Sequence, residues 1–269
     1  MSGSDLAVVL VGWGAIASRV ATLLAARAAP VRIVAVAVRD AGVARDGLPA
    51  GARLISTPGD LEGIEAALLV EAAGRASVGP WARAGLARGW DVAVSSTSAL
   101  TDAGLLAELQ GLAAARGVQI LIPPGALGGI DALAAAARLG LDAVRHEIVK
   151  PALAWRATPA ETACDLAALT APRTFFEGTA REAADRFPQN ANVAVISAMA
   201  GLGLDRTTVA LTADPGARLN RHSITARGDF GTMTITLENR PLATNPKSSE
   251  MTALSLVRMI ENRAGVLVI

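Results

Sequence analysis

Hydrophobic positions in the first half of the chain form short uninterrupted aliphatic runs, separated by stretches rich in alanine and leucine. Runs of this kind are typical of strands that are buried on both faces of a sheet. Strands that alternate with helices predict a parallel sheet with right-handed crossovers. The runs predict strands at 6–11, 31–38, 68–72, 91–95 and 118–122, a helix at 16–27, and a later helix capped by Thr101 or Asp102.

The pattern changes after Ile122, where Pro123-Pro124-Gly125 interrupts the alternation. Polar and apolar residues then alternate singly, as in 232–237, which indicates antiparallel strands with one face in solvent. We therefore expect an α/β domain followed by an α+β domain with a mostly antiparallel sheet. The later strands are predicted at 143–150, 207–213, 223–227 and 232–237, and the later helices at 131–137, 180–187, 193–204 and 250–261.

Composition limits the possible partners of this protein. The chain has 269 residues, 52% hydrophobic and 18% charged, so it can bury a large core and is not disordered. A net charge of +1 and the absence of tyrosine argue against nucleic acid or an anionic membrane as a partner. The longest uncharged stretch, 187–204, contains proline and amides, and its apolar part is shorter than the roughly 20 residues of a membrane span.

Cysteine and histidine are scarce. Cys164 is the only cysteine, so the chain cannot form an internal disulfide, and we expect a reducing, cytoplasmic location. Two distant histidines and one cysteine do not give the spacing of a metal site, so no metal is expected.

A glycine-rich turn, Gly12-x-Gly14-x-x-Ala17, joins the first predicted strand to the first predicted helix. Gly12 permits a tight turn, Gly14 lets the backbone approach a pyrophosphate, and alanine is an accepted substitute for the third glycine. The helix N-terminus then offers N–H groups to the phosphates. A purely structural glycine turn is the competing interpretation. The strand–turn–helix context favours dinucleotide binding by a Rossmann domain at residues 1–123, with contacts from Gly12, Gly14, Ala15 and Ile16.

The end of the second strand carries Arg39 followed by Asp40. An acidic residue there binds the ribose hydroxyls of NAD, whereas an arginine favours the 2′-phosphate of NADP. Both cofactors stay open at this point, and so does a simple solvated charge pair.

Several sequence blocks, in order and over nearly the whole length, make the chain similar to L-aspartate dehydrogenases of the NAD-biosynthesis type. One departure is Pro124, which stands where serine is usual before Gly-Ala. The blocks that carry the resemblance are 12–16 (GWGAI), 96–100 (STSAL), 124–133 (PGALGGIDAL), 176–180 (FEGTA), 187–194 (FPQNANVA), 213–215 (ADP), 220–222 (NRH) and 245–249 (NPKSS).

The resemblance implies oxidation of L-aspartate to iminoaspartate with NAD or NADP. The imine then hydrolyses to oxaloacetate and ammonia or enters NAD synthesis. The family's catalytic histidine falls on His222, and further cofactor contacts fall on Ala126 and Asn192. A homodimer is implied as well, with the sheet of the second domain as its expected interface.

Proton transfer is the expected task of His222, because imidazole has an unperturbed pKa of about 6.5. His146 has no motif around it, and we expect a surface or packing role for it. The two carboxylates of aspartate need cations or backbone donors. Lys247 is the predicted substrate-binding residue and Lys150 a further candidate, with exposed structural lysines as the alternative.

The predicted organisation has two domains. Residues 1–123 bind the dinucleotide, residues 124–244 bind the substrate and build the dimer, and a C-terminal helix at 245–269 packs back on the first domain. Two other functions stay open: a related dehydrogenase of another small amino or imino acid, and a non-catalytic NAD(P)-binding sensor.

Overall fold

The protein forms two compact units in its computed structural model, Met1–Pro123 with Ala253–Ile269, and Pro124–Thr252. The structure describes residues 5–188 and 191–269, and the side chains of Pro246 and Lys247 lie outside this description. Among the described residues, no helix is both long enough and apolar enough to cross a bilayer.

The first unit contains a six-stranded parallel sheet in the order β3-β2-β1-β4-β5-β6. Its elements are β1 Leu6–Val11, α1 Ala15–Ala26, β2 Val31–Ala37, β3 Arg53–Ile55, β4 Leu68–Glu71, α2 Arg75–Ala87, β5 Asp91–Val94, α3 Ala103–Arg116 and β6 Ile120–Leu121.

Strand β1 is central in this sheet, and its aliphatic run is buried on both faces. Val9 packs with the core residues around Trp81 of α2, and Leu10 packs with the core residues around Val20 of α1. Leu256 of the C-terminal helix joins the second of these cores. The predicted parallel α/β sheet is confirmed. Its central strand is continuously apolar because it contributes side chains to a core on each face.

Helix α2 and strand β3 were not predicted. Glycine precedes α2, and Pro80 and two further glycines lie within it, so its local propensity for helix is poor. Trp81 and Leu86 are nevertheless buried in the core, so tertiary packing stabilises the helix. Strand β3 has only three residues, too few to show a period.

The second unit contains a five-stranded mixed sheet in the order β11-β10-β7-β9-β8, in which only β7 and β9 run parallel. The predicted mostly antiparallel sheet is confirmed, and β8 is an additional strand. The elements are α4 Ile130–Ala136, β7 Leu141–Pro151, α5 Ala160–Ala163, β8 Arg173–Thr179, α6 Ala180–Arg186, α7 Asn192–Ala200, β9 Thr208–Asp214, β10 Asn220–Gly228, β11 Gly231–Asn239, β12 Pro241–Leu242 and β13 Asn245–Ser249.

Residues alternate between the two faces of this sheet. Along β10, Asn220, His222 and Ile224 are buried, while Arg221 and Thr225 on the opposite face are exposed. The buried face packs with the aromatic and alanine-rich core of this unit, to which α6 and α7 contribute. The period of two therefore aims polar side chains of β10 into the interior.

The C-terminal segment corrects one prediction. The helix predicted from Glu250 is present as α8, Glu250–Ala264, but residues 245–249, which the predicted domain division assigned to the C-terminal helix, form β13, antiparallel to β12. A proline at position 246 has no N–H to donate, which suits a short edge strand. Helix α7 is also shorter than predicted, because it ends at Ala200 before Gly201 and Gly203.

Candidate active site

The glycine turn of the first unit brings two backbone segments very close together. Gly12 has φ +102°, and a Cβ atom there would lie 2.8 Å from the carbonyl oxygen of Ala72, so only glycine fits. Helix α1 starts after Gly14, with no acidic residue in its first turn and no side-chain cap. Its first N–H groups have no carbonyl partner within the helix and can serve a phosphate.

A cavity of about 520 Å³ lies at this turn. It reaches from Gly12 and Gly14 to Arg39 at the end of β2, so three predicted cofactor residues share one cavity. Ala15 and Ile16 form the first turn of α1 beside it. The lining residues fit a dinucleotide, and they include four that the sequence did not single out: Arg45, Ser56, Ser77 and Trp81.

Two arginines face the cavity beside the end of β2. Arg39 and Arg45 both line it, and the Nε of Arg45 is buried without a hydrogen-bond partner among the described residues. Asp40 does not line the cavity, and its Oδ1 accepts a hydrogen bond of 2.8 Å from the N–H of Gly42. The arginines thus offer positive charge here, and the carboxylate is already used by a local turn.

A buried carboxylate holds the loop that faces Gly12. Glu71 ends β4, and its Oε1 accepts from the N–H groups of Ala73 and Gly74, both at 2.8 Å. The N–H and the hydroxyl of Ser96 also donate to this carboxylate, each at 3.0 Å. Burial raises the pKa of Glu71, while these four hydrogen bonds act against that rise. Glu71 therefore joins the ends of β4 and β5 at the cavity.

The second unit places His222 in a buried row of polar groups. His222 lies on β10 and is 3% exposed, and its Nδ1 is 3.3 Å from the Nε2 of His146 on β7. The Nδ1 of His146 is 2.9 Å from the Oγ of Ser197 on α7, and that hydroxyl donates to the carbonyl of Ala194 at 3.0 Å. The row therefore runs from a helix carbonyl to the predicted catalytic imidazole.

His146 shows what the sequence missed. We expected a surface or packing role, and the structure buries the ring completely and gives both ring nitrogens polar neighbours. One signal was present in the chain: His146, Ile148 and Lys150 occupy every second position of a strand, and the residues on either side of His146, Arg145 and Glu147, are charged. That alternation places His146 on the buried face.

Burial shifts the ionisation of all three basic groups here. It lowers the pKa of His146 to about 3 and that of Lys150 to about 8. Burial also lowers the pKa of His222 well below its usual value, and His146 and Lys150 act in the same direction. Lys150 lies 5.2 Å above the ring of Trp155. At neutral pH both imidazoles are uncharged, and the lysine supplies the positive charge.

Two paired asparagines lie at the adjoining ends of β10 and β11, on the same buried face as His222. The Nδ2 of Asn239 donates to the carbonyl of Ala126 at 2.8 Å, so this strand end holds the predicted cofactor residue Ala126 in place. The Nδ2 of Asn220 donates to the Oγ of Ser249 at a long 3.4 Å. The Oδ1 of Asn220 is buried and has no hydrogen-bond partner among the described residues. An orphaned buried acceptor beside His222 suits a ligand donor.

The remaining predicted residues are placed as follows. Asn192 is the first residue of α7, the helix that carries Ser197. The side chain of Lys247 lies outside the described residues. Within residues 5–188 and 191–269, no group of three or more histidine, cysteine or acidic side chains could hold a metal ion.

A parallel sheet with a glycine turn at a dinucleotide-sized cavity, and a buried histidine in the same chain, define the class of NAD(P)-dependent oxidoreductases. A family model described as homoserine dehydrogenase, NAD binding domain, matches residues 12–123. A second model, aspartate dehydrogenase, C-terminal, matches residues 131–263.

Curated relatives narrow the class. The L-aspartate dehydrogenase of Brucella anthropi is 61% identical over 262 residues, which cover 97% of this chain and 98% of the relative. That of Cupriavidus necator is 44% identical over 263 residues, 96% of this chain and 98% of the relative. The chain belongs to the L-aspartate dehydrogenase family, as the sequence blocks predicted.

A solved structure supports the fold. The aspartate dehydrogenase of Thermotoga maritima matches with a TM-score of 0.77 over 98% of this chain and 99% of the other. The two sequences are only 22% identical, so this match concerns the architecture.

Proposed function

We propose that this protein oxidises L-aspartate to iminoaspartate with NAD or NADP, and that the imine hydrolyses to oxaloacetate and ammonia. The observation that carries the proposal is His222, buried as a neutral imidazole within a chain of this family. Amine oxidation needs a base that is unprotonated at working pH, and burial keeps the imidazole of His222 neutral there.

Hydride acceptance from the α-carbon is the chemistry that bound NAD(P)⁺ supplies. In the proposed mechanism, the Nε2 of His222 removes a proton from the substrate ammonium, so that the nitrogen lone pair can form the imine. The same imidazole then assists addition of water to the imine carbon. Its low pKa means that it releases the acquired proton readily.

The residues proposed to hold the cofactor belong mainly to the glycine turn. The N–H groups of Gly14, Ala15 and Ile16 would receive the pyrophosphate. Gly12 keeps the turn tight, and Arg39 and Arg45 would bind a 2′-phosphate. Ala126 and Asn192 are further proposed contacts, on the basis of the family resemblance.

Substrate binding is proposed for the polar residues around His222. Lys150 is cationic below about pH 8 and lies on the same strand face as His146, so it can bind a carboxylate. The orphaned Oδ1 of Asn220 would accept from the substrate ammonium. Lys247 remains a proposed second carboxylate ligand.

The proposal extends to the cellular setting. We place the enzyme in the cytoplasm, in agreement with its single, unpaired cysteine. We also propose a homodimer, joined through the solvent-facing side of the five-stranded sheet, and a contribution to NAD biosynthesis.

The deciding experiment measures NADH and NADPH formation with L-aspartate at alkaline pH, in parallel with D-aspartate, L-glutamate and L-alanine. We expect turnover with L-aspartate and its loss in His222→Ala. Thr207→Val is the matched control, because Thr207 is a buried polar residue of the same unit whose Oγ has no partner among the described residues. Turnover with another amino acid alone would indicate a related dehydrogenase, and cofactor binding without any turnover would indicate a sensor.

A further inference from the structure

His146 has no role in the mechanism above, although it is fully buried next to His222. Burying an imidazole without hydrogen bonds is costly, and here both ring nitrogens have partners. Which atom donates and which accepts in each of these hydrogen bonds determines which nitrogen of His222 carries a proton.

Ser197 is the first side-chain donor in this row of hydrogen bonds. The Oγ of Ser197 lies 3.0 Å from the carbonyl of Ala194, and because a backbone carbonyl can only accept, we assign the hydroxyl hydrogen of Ser197 to this bond. The Oγ atom is then an acceptor for the Nδ1–H of His146, 2.9 Å away. A neutral imidazole has one N–H, so the Nε2 of His146 carries a lone pair.

The hydrogen bond between His146 and His222 fixes the tautomer of His222. The lone pair on Nε2 of His146 faces Nδ1 of His222 at 3.3 Å, so this Nδ1 must be the donor. A neutral His222 with Nδ1–H has an unprotonated Nε2. That is the form that a general base requires, and the opposite tautomer could not accept a proton at Nε2.

We propose that His146 is a positioning residue which, with Ser197, holds His222 in the Nδ1–H tautomer and so keeps its Nε2 available as the base. This inference rests on the proposed function of His222. When His222 takes up a proton, its Nδ1–H bond to His146 persists, so the row needs no rearrangement during the reaction.

The surroundings support an orienting role rather than a charge relay. The titratable groups that act on His222 are His146 and Lys150, both on β7. Leu237 is the β11 partner of His222 in register, and α7 contains no titratable side chain. Burial lowers the pKa of His146 to about 3, so His146 stays uncharged at working pH and faces His222 as a hydrogen-bond partner rather than as a second charge.

Tautomers can be observed directly, because the chain has only two histidines. Untagged protein labelled with ¹⁵N-histidine should show two neutral imidazoles at pH 8, both protonated at Nδ1, in long-range ¹H–¹⁵N spectra. His146→Gln assigns the remaining signals to His222. We expect Ser197→Ala to add Nε2–H character to His222, because His146 then loses the acceptor for its Nδ1–H. An Nε2–H tautomer of His222 in the wild type would overturn the proposal.

Kinetics test the functional part across a pH series. His146→Leu removes the acceptor, and we expect kcat to fall about 10–100-fold, with an unchanged KM for the dinucleotide. The acid limb of kcat/KM should also shift in this variant, because His146 contacts the Nδ1 of His222 directly and acts on its pKa. His146→Gln offers an amide oxygen to Nδ1–H and should recover most of kcat. Thr207→Val, which removes a buried hydroxyl outside the row, should match the wild type.

The two proposals can fail separately. Wild-type oxidation of L-aspartate with unchanged kcat and pH profile in His146→Leu would overturn the positioning role and leave the proposed function intact. The expected tautomers without any aspartate turnover would support the structural row and overturn the proposed function. Equal losses in His146→Leu and His146→Gln would mean that ring packing, rather than the acceptor, is what matters.

Discussion

His146 and His222 are diagonal neighbours on one face of two antiparallel strands, with Nε2 and Nδ1 3.3 Å apart and ring centroids 5.5 Å apart. In the strand register, His222 pairs with Ile148, and His146 pairs with Ile224. A shift of one residue would send one of the two rings to the solvent face. The proposed base and its partner therefore depend on this register.

The two buried histidines should make the protein sensitive to acid. His146 has a pKa of about 3 when folded and about 6.5 when unfolded, so the unfolded chain binds more protons below pH 6.5. Stability should fall as the pH falls through 6.5, by about 2 kcal/mol at pH 5 for His146. Urea unfolding between pH 8 and pH 5 measures this loss. His146→Gln should show a shallower pH dependence, and parallel curves would contradict the assignment.

Lys150 should control affinity for the substrate. Loss of a charge-assisted hydrogen bond costs about 1.5–3 kcal/mol, so Lys150→Met should raise KM for L-aspartate about tenfold or more, with a smaller change in kcat. In the wild type, KM should rise as the pH passes about 8, since the cation is lost there. Initial rates at pH 7 and pH 9.5 test both statements. Lys247→Met is the parallel variant, and a larger effect there would assign the carboxylate to Lys247.

Asn220 should separate stability from function. Its Oδ1 is a buried acceptor without a described partner, which is unfavourable in the ligand-free protein. Asn220→Leu removes this orphaned acceptor together with one long hydrogen bond to Ser249, so the unfolding free energy should change little, while KM for L-aspartate rises because the substrate ammonium loses an acceptor. Thermal unfolding and substrate titration measure the two effects. A destabilised variant with normal KM would make Asn220 a structural residue.

Cofactor preference should depend on the two arginines of the cavity. Arg39→Ala and Arg45→Ala should each weaken NADPH binding about tenfold, since a hydrogen bond between charged groups is worth about 1.5–3 kcal/mol. NADH has no 2′-phosphate, so its affinity should change much less. Fluorescence titration of both nucleotides gives the ratio. Equal losses for NADH and NADPH would place the arginines elsewhere along the dinucleotide.

Glu71 should support both stability and cofactor binding. In Glu71→Gln, an amide NH₂ replaces the oxygen that accepts from the N–H of Ser96, so two donors face each other. We expect a loss of about 1–3 kcal/mol in unfolding free energy. The amide oxygen still accepts from the N–H groups of Ala73 and Gly74, but without the negative charge these bonds weaken, so NADH binding should weaken as well. Urea unfolding and nucleotide titration test this, and Glu108→Gln, at an exposed ion pair with Arg83, is the control.

Local sequence signals determined the main architecture. The aliphatic run of β1, the glycine turn and the Ala/Leu-rich α1 follow directly from residue type, because a doubly covered strand must be apolar and the close approach to Ala72 excludes a Cβ atom at Gly12. The single alternation of β10 and β11 likewise predicted a sheet with one wet face. Family blocks identified His222 without any knowledge of its surroundings.

Tertiary structure decided what lies around those residues. Helix α2 forms against its local propensity because Trp81 and Leu86 gain burial, and residues 245–249 form β13 rather than part of the C-terminal helix because they pair with β12. His146 contacts His222 across 76 residues of chain, and Ser197, on a separate helix, contacts His146. Sequence patterns report which face a residue occupies, but strand register and helix packing determine which atoms meet across that face. The protonation state of His222 depends on its hydrogen bond to His146 and on its burial, so only the folded chain determines it.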